Sequence, residues 1–134
     1  MAKKKRRDVK SLITPKLRQM SRYWHEKRTA RDAAKVKVEI GVFKNGNVKY
    51  HTMYKCASCE GTFEYKETHM DHINPVVDPD TGWVSWDVYI ERLFCPADNY
   101  QCLCVACHEI KTEIEKQYRI DARKRRKELD NKDR

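Results

Sequence analysis

Long apolar runs are missing from this sequence. No stretch approaches the roughly 20 apolar residues that a membrane span needs, and no apolar segment follows the basic residues at its start, as a secretory signal would require. Charged residues make up 37% of the 134 residues, and the mean hydropathy is −0.93. We therefore expect a soluble, cytoplasmic protein with no membrane partner. The length fits one domain with tails rather than two full domains.

Apolar residues for a core are correspondingly scarce, so a bound metal ion would help to stabilise the fold. The chain contains six cysteines. In a protein that stays inside a cell, cysteines serve more often as metal ligands or free thiols than as disulfides. The cysteines are therefore the first residues to search for a metal site.

The charge is unevenly distributed along the chain. Residues 1–37 carry 14 basic and 3 acidic side chains, residues 38–108 carry 5 and 10, and residues 109–134 carry 10 and 7. A slightly acidic centre between two basic arms indicates a polyanionic partner, of which nucleic acid is the commonest; a solvated tail kept for solubility is the alternative. The candidate phosphate contacts at the start of the chain are Lys3, Lys4, Lys5, Arg6 and Arg7. Further basic side chains could follow a phosphate backbone from the predicted first helix: Lys16, Arg22 and Arg31.

Local patterns predict helices towards both ends of the chain and strands between them. Residues 1–12 are expected to form a flexible basic arm, and Thr14-Pro15 predicts the start of a helix that runs to about Ala34. Apolar alternation on both sides of Asn45-Gly46, a two-residue turn signal, predicts a β-hairpin. The other predicted elements are strands at Thr62–Lys66 and Thr68–Ile73, a short helix from about Trp86 to Phe94 capped by Ser85, and a long helix from Cys104 to about Lys127.

Two C-x2-C pairs stand out among the cysteines. Each pair places two thiolates on one turn, and four thiolates from two such turns make a closed structural zinc site. A redox pair is less well supported because neither motif sits in a βαβ context. Cys102 could compete with Cys104 as a ligand, but only Cys104 keeps the spacing, so Cys95 and Cys102 are expected to be small buried hydrophobes. The predicted zinc ligands are Cys56, Cys59, Cys104 and Cys107.

A polar cluster accompanies the cysteines. Asp71 and His72 lie between the two pairs, and His108 directly follows a predicted zinc ligand. If both pairs share one zinc ion, His72 and His108 cannot be far apart. Two histidines and an aspartate could hold a second, open metal site, or one histidine could act as a general base. A lone histidine is more often a surface or capping residue, and it is the joint spacing that favours a site.

These motifs together resemble the HNH endonucleases, most closely the small zinc-stapled proteins of bacteriophages and mobile elements. The pattern comprises the first C-x2-C pair, Asp71-His72-Ile73-x-Pro75, Asp98-Asn99-x-Gln101, and Cys104-x2-Cys107-His108-x2-Lys111-Thr112. The resemblance covers about residues 54–115. It implies a ββα-metal fold, in which a two-stranded hairpin carries the Asp-His pair, a loop carries the asparagine and the following helix carries the last histidine.

The resemblance also implies a role for each matching residue. His72 would be the general base that deprotonates a water molecule, while Asp71 and His108 would hold one divalent cation, Mg²⁺ or Mn²⁺. Asn99 would brace the loop and position His72 through a hydrogen bond. Lys111 would contact a phosphate or be an exposed helical lysine. His69, on the same strand face as Asp71, would be a further metal or phosphate contact or a surface residue.

We therefore expect an α+β protein with a ββα-metal core, a structural zinc site of four cysteines, an N-terminal helix, a β-hairpin and a long C-terminal helix. The expected divisions are a basic arm and helix over 1–35, a nuclease domain over 36–118 and a basic helical tail over 119–134. The expected activity is metal-dependent nicking of double-stranded DNA to leave 3′-hydroxyl and 5′-phosphate ends, in the host cytoplasm if a phage encodes the chain. The alternatives are a non-catalytic zinc-stapled nucleic-acid-binding module and a nuclease component of a phage packaging machine, and the partner could be a second copy or a phage protein.

Overall fold

The computed structural model describes residues 6–134 as an α+β protein with four α-helices and small antiparallel sheets. Lys3, Lys4 and Lys5 lie outside the described residues. Among residues 6–134, none of the helices combines the length and the apolar composition that crossing a bilayer requires. The helices and strands, in chain order, are α1 (Val9–Met20), α2 (His25–Ala33), β1 (Lys35–Val42), β2 (Val48–Lys55), β3 (Thr62–Phe63), β4 (Thr68–His72), α3 (Trp86–Leu93), β5 (Tyr100–Cys104) and α4 (Val105–Lys132).

The N-terminal region differs from the prediction in two ways. The first helix begins at Val9 rather than at Pro15, because the Asp8 side chain caps it by accepting a hydrogen bond of 2.8 Å from the Ser11 N–H. Residues 9–12 are therefore helical and not part of a flexible arm. The helix also does not run unbroken to Ala34. At Trp24 the backbone is extended, and the Trp24 indole N–H donates to the Cys95 carbonyl at 2.7 Å, so a distant contact fixes the break.

The predicted hairpin is confirmed, and the sheet around it is small. Strands β1 and β2 pair antiparallel from Lys35↔Tyr54 to Val42↔Val48, and β3 adds two residues to the edge of β2. The turn around Asn45-Gly46 is longer than two residues: it is closed by a 2.8 Å bond from the Phe43 N–H to the Asn47 carbonyl. The strand predicted over Thr62–Lys66 ends early because a 3-10 turn, closed by reciprocal Glu64 and Glu67 capping bonds, follows Phe63.

A second, two-stranded sheet is built from segments far apart in the chain. Strand β4 pairs antiparallel with β5, with Asp71 opposite Gln101 and His72 opposite Tyr100. The chain passes from the end of β5 directly into α4, whereas α3 lies between β4 and β5, so the order along the chain is β4, α3, β5, α4. The predicted last helix is confirmed and extends to Lys132. It runs without a break across residue 118, where the nuclease domain was expected to end and the C-terminal tail to begin. Strand β5 was not predicted from the residue pattern.

Two small apolar clusters form the core. One surrounds Cys56, Leu103 and Cys104, with Phe63 and Cys107 packed against it. The other joins Val76, Tyr89 and Leu93, where α3 packs against the loop before it, which includes Val77 and Trp83. The predicted helix over Trp86–Phe94 is confirmed, with the Ser85 hydroxyl accepting from the Val88 N–H at 3.2 Å. The first cluster contains cysteine side chains as its main members, so this part of the core depends on what those cysteines bind.

Candidate metal centre and active site

Four cysteines converge where the two C-x2-C turns meet. The ligand atoms of Cys56, Cys59, Cys104 and Cys107 all lie within 4.8 Å of one another. The Sγ atoms of Cys59 and Cys104 are 3.9 Å apart, and sulfurs bound tetrahedrally to one zinc ion at about 2.3 Å are separated by about 3.8 Å. The cluster is therefore compatible with a structural metal such as zinc, as predicted. Cys95 and Cys102 are buried outside this cluster, also as predicted.

The local backbone explains why these four thiols meet. The first turn docks on strand β5 through a 2.8 Å bond from the Ala57 N–H to the Cys102 carbonyl. The second turn is the junction between β5 and α4, where the Cys104 Sγ caps the helix by accepting from the Cys107 N–H at 3.5 Å. A metal bound here would tie the end of β2 to the start of α4.

Backbone amides favour the thiolate form at the centre of the cluster. Burial raises the pKa of Cys56, but backbone N–H groups, first among them that of Cys104, outweigh burial and lower the pKa to about 6. A thiolate is the form that binds metal. The amide donors thus match the charge that a metal-bound sulfur carries.

Asp71 is the meeting point of a second polar cluster. Its Oδ2 atom accepts hydrogen bonds from the Gln101 amide at 3.1 Å and from the Lys111 ammonium at 2.5 Å. Its Oδ1 atom lies 3.9 Å from the Nε2 atom of His108, which sits in the first turn of α4. The ring of His69 stacks on that of His108 with centroids 4.7 Å apart. Asp71 and His108, predicted to share a cation, are therefore close together.

The ammonium group of Lys111 is bound to groups of its own chain. The three N–H donors of its ammonium group are used within the chain: besides Asp71, they reach the His72 carbonyl at 2.9 Å and the Glu115 carboxylate at 2.6 Å. Burial lowers the pKa of Lys111, but the bonds to the two carboxylates outweigh burial and raise the pKa above its ordinary value. In this arrangement the side chain holds Asp71 in place.

Replacement of Lys111 by methionine, which keeps the length and removes the charge, should lower the free energy of unfolding by about 2 kcal/mol. The reason is that charge-assisted hydrogen bonds contribute about 1.5–3 kcal/mol and the Asp71 carboxylate would lose its cation. Urea denaturation of the metal-loaded protein measures the loss. Lys116→Met, at an exposed position of the same helix, is the matched control and should stay within about 0.5 kcal/mol of wild type. Equal losses in both variants would contradict this assignment.

His72 is held by a single carbonyl group. Its Nε2 atom lies 2.9 Å from the Leu93 carbonyl, which also accepts from the Tyr100 hydroxyl at 3.1 Å. Because a carbonyl only accepts, Nε2 carries the proton and Nδ1 carries the free lone pair. Burial lowers the pKa of His72, and nearby Lys27 and Arg18 add to that effect while the Leu93 carbonyl opposes it. The neutral ring is therefore the favoured form.

Asn99 braces the end of strand β4, although not in the way predicted. Its side-chain oxygen accepts from the Asn74 N–H at 3.1 Å, and its own carbonyl accepts from the Ile73 N–H at 2.8 Å. The two donors, Ile73 and Asn74, are the residues that follow His72. Within the part of the chain that the structure describes, no hydrogen bond joins Asn99 to His72 itself, so any positioning of the histidine is transmitted through the backbone.

The two histidines and Asp71 open onto a basic cleft of about 600 Å³. The β4–β5–α4 unit contributes Met70, Asp71, His72 and His108 to its lining, and most of the remaining lining residues come from the segment that includes α1 and α2. The basic residues that line it are Lys16, Arg18, Arg22 and Lys27. No carboxylate of residues 6–134 forms a salt bridge with any of the four. The cleft can therefore attract an anionic group to the side chains of Asp71, His72 and His108.

Sequence reasoning missed several residues that shape this site. The Leu93 carbonyl and Tyr100 orient His72, and no residue pattern indicates that a backbone carbonyl 21 positions away has this role. Gln101 was part of the recognised motif, but its bond to Asp71 depends on the β4–β5 register. Lys16 and Arg22 were singled out as basic side chains of the first helix. That both line the same cleft as His72 depends on how the helices pack.

The structure brings most of the predicted site residues together. The four cysteines form one cluster, and Asp71, His72 and His108 line one cleft. Arg6 and Arg7 lie on the exposed N-terminal segment and do not line that cleft.

Comparison with protein-family models, with curated proteins and with solved structures found no match to this chain.

Proposed function

We propose that this protein is a metal-dependent DNA endonuclease of the HNH type that hydrolyses one phosphodiester bond at a time to 3′-hydroxyl and 5′-phosphate ends. The observation that carries the proposal is His72, an imidazole anchored through Nε2, on the lining of a basic cleft that Asp71 and His108 also line. A general base, a carboxylate and a second imidazole around an anion-attracting cleft are the groups that phosphodiester hydrolysis requires.

The fold around the site supports a ββα-metal core. Asp71 and His72 lie on β4, Asn99 directly precedes β5, and His108 lies in the first turn of α4. This is the order that the resemblance to HNH endonucleases implies. The four-cysteine cluster, which we propose holds Zn²⁺, links β2 to the junction of β5 and α4 and so stabilises the turn that carries His108.

His72 would act as the general base. Its Nδ1 lone pair would accept a proton from the water molecule that attacks the phosphorus atom. The bond from Nε2 to the Leu93 carbonyl would stabilise the imidazolium that forms, because a carbonyl accepts more strongly from a charged donor. The aromatic ring of Tyr100, with its centroid 4.7 Å from that of His72, limits the orientations of the imidazole.

Asp71 and His108 fit a divalent cation. The Asp71 Oδ1 atom accepts no hydrogen bond from the described residues and faces the His108 Nε2 atom at 3.9 Å. Two ligand atoms at about 2.1 Å from one octahedral ion lie about 3.0 Å apart when adjacent and about 4.2 Å apart when opposite, so a side-chain movement of about 1 Å or less would let both atoms bind one ion. A bound Mg²⁺ or Mn²⁺ would supply Lewis-acid stabilisation of charge on the phosphate and on the leaving 3′ oxygen. Stacking of His69 on His108 would fix the orientation of the ligating ring.

Basic residues would supply the sequence-independent part of DNA binding. Lys16, Arg18, Arg22 and Lys27 line the cleft, and we propose that the basic run from Lys3 to Arg7 adds further phosphate contacts. Such contacts make affinity depend steeply on salt concentration. They determine where DNA binds without selecting its sequence.

The test is incubation of supercoiled plasmid with the purified, zinc-loaded protein, with and without Mg²⁺ or Mn²⁺. Metal dependence is measured by omitting the added ion, because a chelator would also strip the cysteine cluster. We expect open circles that DNA ligase reseals without prior treatment of the ends, since ligase requires a 3′-hydroxyl and a 5′-phosphate. Linear product formed directly would indicate a paired enzyme. DNA binding without cleavage would favour the binding module, or a nuclease component that needs a phage partner.

A further inference from the structure

A second basic cleft of about 590 Å³ lies beside the first. It runs along α2 and is also lined by Tyr54 and Tyr65. The basic residues that line it are Arg22, Lys27, Arg28, Arg31 and Lys35. Its one acidic residue is Asp32, which forms a 3.0 Å salt bridge with Lys35. The resemblance to HNH endonucleases begins at about residue 54, so α2 lies outside it.

The two clefts share a wall. Arg22 and Lys27 line both of them. No carboxylate of residues 6–134 forms a salt bridge with Arg22, Lys27 or Arg28. Burial lowers the pKa of Lys27, and the charges of Arg31 and Arg22 lower it further. Like charges held together around a half-buried ammonium group repel one another, and a bound anion relieves that repulsion.

Arg31 gives the second cleft a rigid side. Its guanidinium group lies 4.2 Å from the centre of the Tyr65 ring, and it donates a 2.9 Å hydrogen bond to the Thr68 hydroxyl at the start of β4. Thr68 is four positions before His72 on the same strand. Because Arg31 lines the second cleft and is hydrogen-bonded to the strand that carries the proposed general base, it fixes the position of the second cleft relative to the first.

We propose that the second cleft binds backbone phosphates of the nucleic acid beyond the cleavage site, with Arg22 and Lys27 at the point where the strand passes from one cleft to the other. This inference rests on the proposed function, since it takes nucleic acid as the partner. It adds a binding surface on α2 that the motif residues do not include. Because the contacts are to phosphates, they strengthen binding without selecting a base sequence.

Charge substitutions of opposite sign test the inference. Arg28→Ala removes an exposed, unpaired cation that lines only the second cleft, and Asp32→Asn removes the one acid there. Binding of a fluorescein-labelled 24-base-pair duplex is measured by anisotropy across a KCl series, without Mg²⁺. We expect Arg28→Ala to reduce the slope of the logarithm of the binding constant against the logarithm of salt concentration by about 0.9, and to weaken binding about tenfold at 0.1 M salt. Asp32→Asn should strengthen binding severalfold.

Matched controls on the β1–β2 hairpin separate this cleft from general charge effects. Lys44→Ala likewise removes a positive charge and Glu39→Gln a negative charge, at exposed positions outside both clefts. Both should leave the affinity for DNA within about twofold of wild type. The inference is overturned if Arg28→Ala has no larger effect than Lys44→Ala, or if Asp32→Asn does not strengthen binding. Plasmid nicking by the same preparations is scored separately. If the plasmid is nicked but the variants leave the salt dependence of DNA binding unchanged, only the proposed phosphate-binding surface is overturned. If the variants change that salt dependence but no protein nicks the plasmid, only the nuclease proposal is overturned.

Discussion

Cys59→Ala should release the metal from the cysteine cluster and unfold the protein, although Cys59 is an exposed residue. An exposed side chain contributes little packing, so a large loss can arise only through the ligand role that its Sγ atom has. Structural zinc contributes on the order of 10 kcal/mol or more in small domains. That is comparable with the entire free energy of unfolding of a typical domain, about 5–15 kcal/mol. The metal content per chain and the circular dichroism spectrum measure the two effects.

Cys95 provides the matched control, because it is buried but lies outside the cluster. Cys95→Ala should keep the metal and lose about 1–2 kcal/mol of stability from the small cavity. Packing alone would give the opposite order, with the buried cysteine more sensitive than the exposed one. A Cys59→Ala protein that stays folded and retains one metal ion per chain would contradict the assignment of the cluster as a structural metal centre.

Local signals in the sequence were sufficient for the elements whose causes are local. The hairpin follows from alternation on both sides of Asn45-Gly46, and α3 follows from the Ser85 cap. The break between α1 and α2 was missed because its cause is 71 positions away, in the hydrogen bond from Trp24 to the Cys95 carbonyl. Strand β5 was missed because its pairing with β4 lies across a gap of almost 30 residues, which no local pattern encodes.

The same distinction applies to the candidate site. The four cysteines could be predicted as one cluster because spacing within each pair restricts their geometry. That cluster in turn predicted that His72 and His108 are not far apart, and both line the same cleft. The hydrogen bonds that orient these residues could not be predicted. Lys111 is the clearest example: its sequence position allowed a phosphate contact, whereas its bonds to Asp71, the His72 carbonyl and Glu115 depend on how α4 packs on β4.

His72→Ala should reduce the rate of DNA nicking by about 10²–10⁴-fold, the usual contribution of a general base. DNA affinity should change little, because the basic side chains of the cleft remain. The fold should also remain, since His72 lies outside both apolar clusters and outside the cysteine cluster. His25→Ala is the matched control: its side chain is 71% exposed on α2 and does not line the cleft, so its nicking rate should equal that of wild type.

The most direct measurement is therefore the single-turnover nicking rate of wild type, His72→Ala and His25→Ala on supercoiled plasmid in Mg²⁺, with DNA affinity and zinc content determined on the same preparations. The account predicts that only His72→Ala loses its nicking, while all three proteins bind DNA and zinc alike to within about twofold. Equal nicking by all three proteins would contradict the role of His72. A parallel loss of nicking, DNA affinity and zinc in His72→Ala would show that this residue is structural.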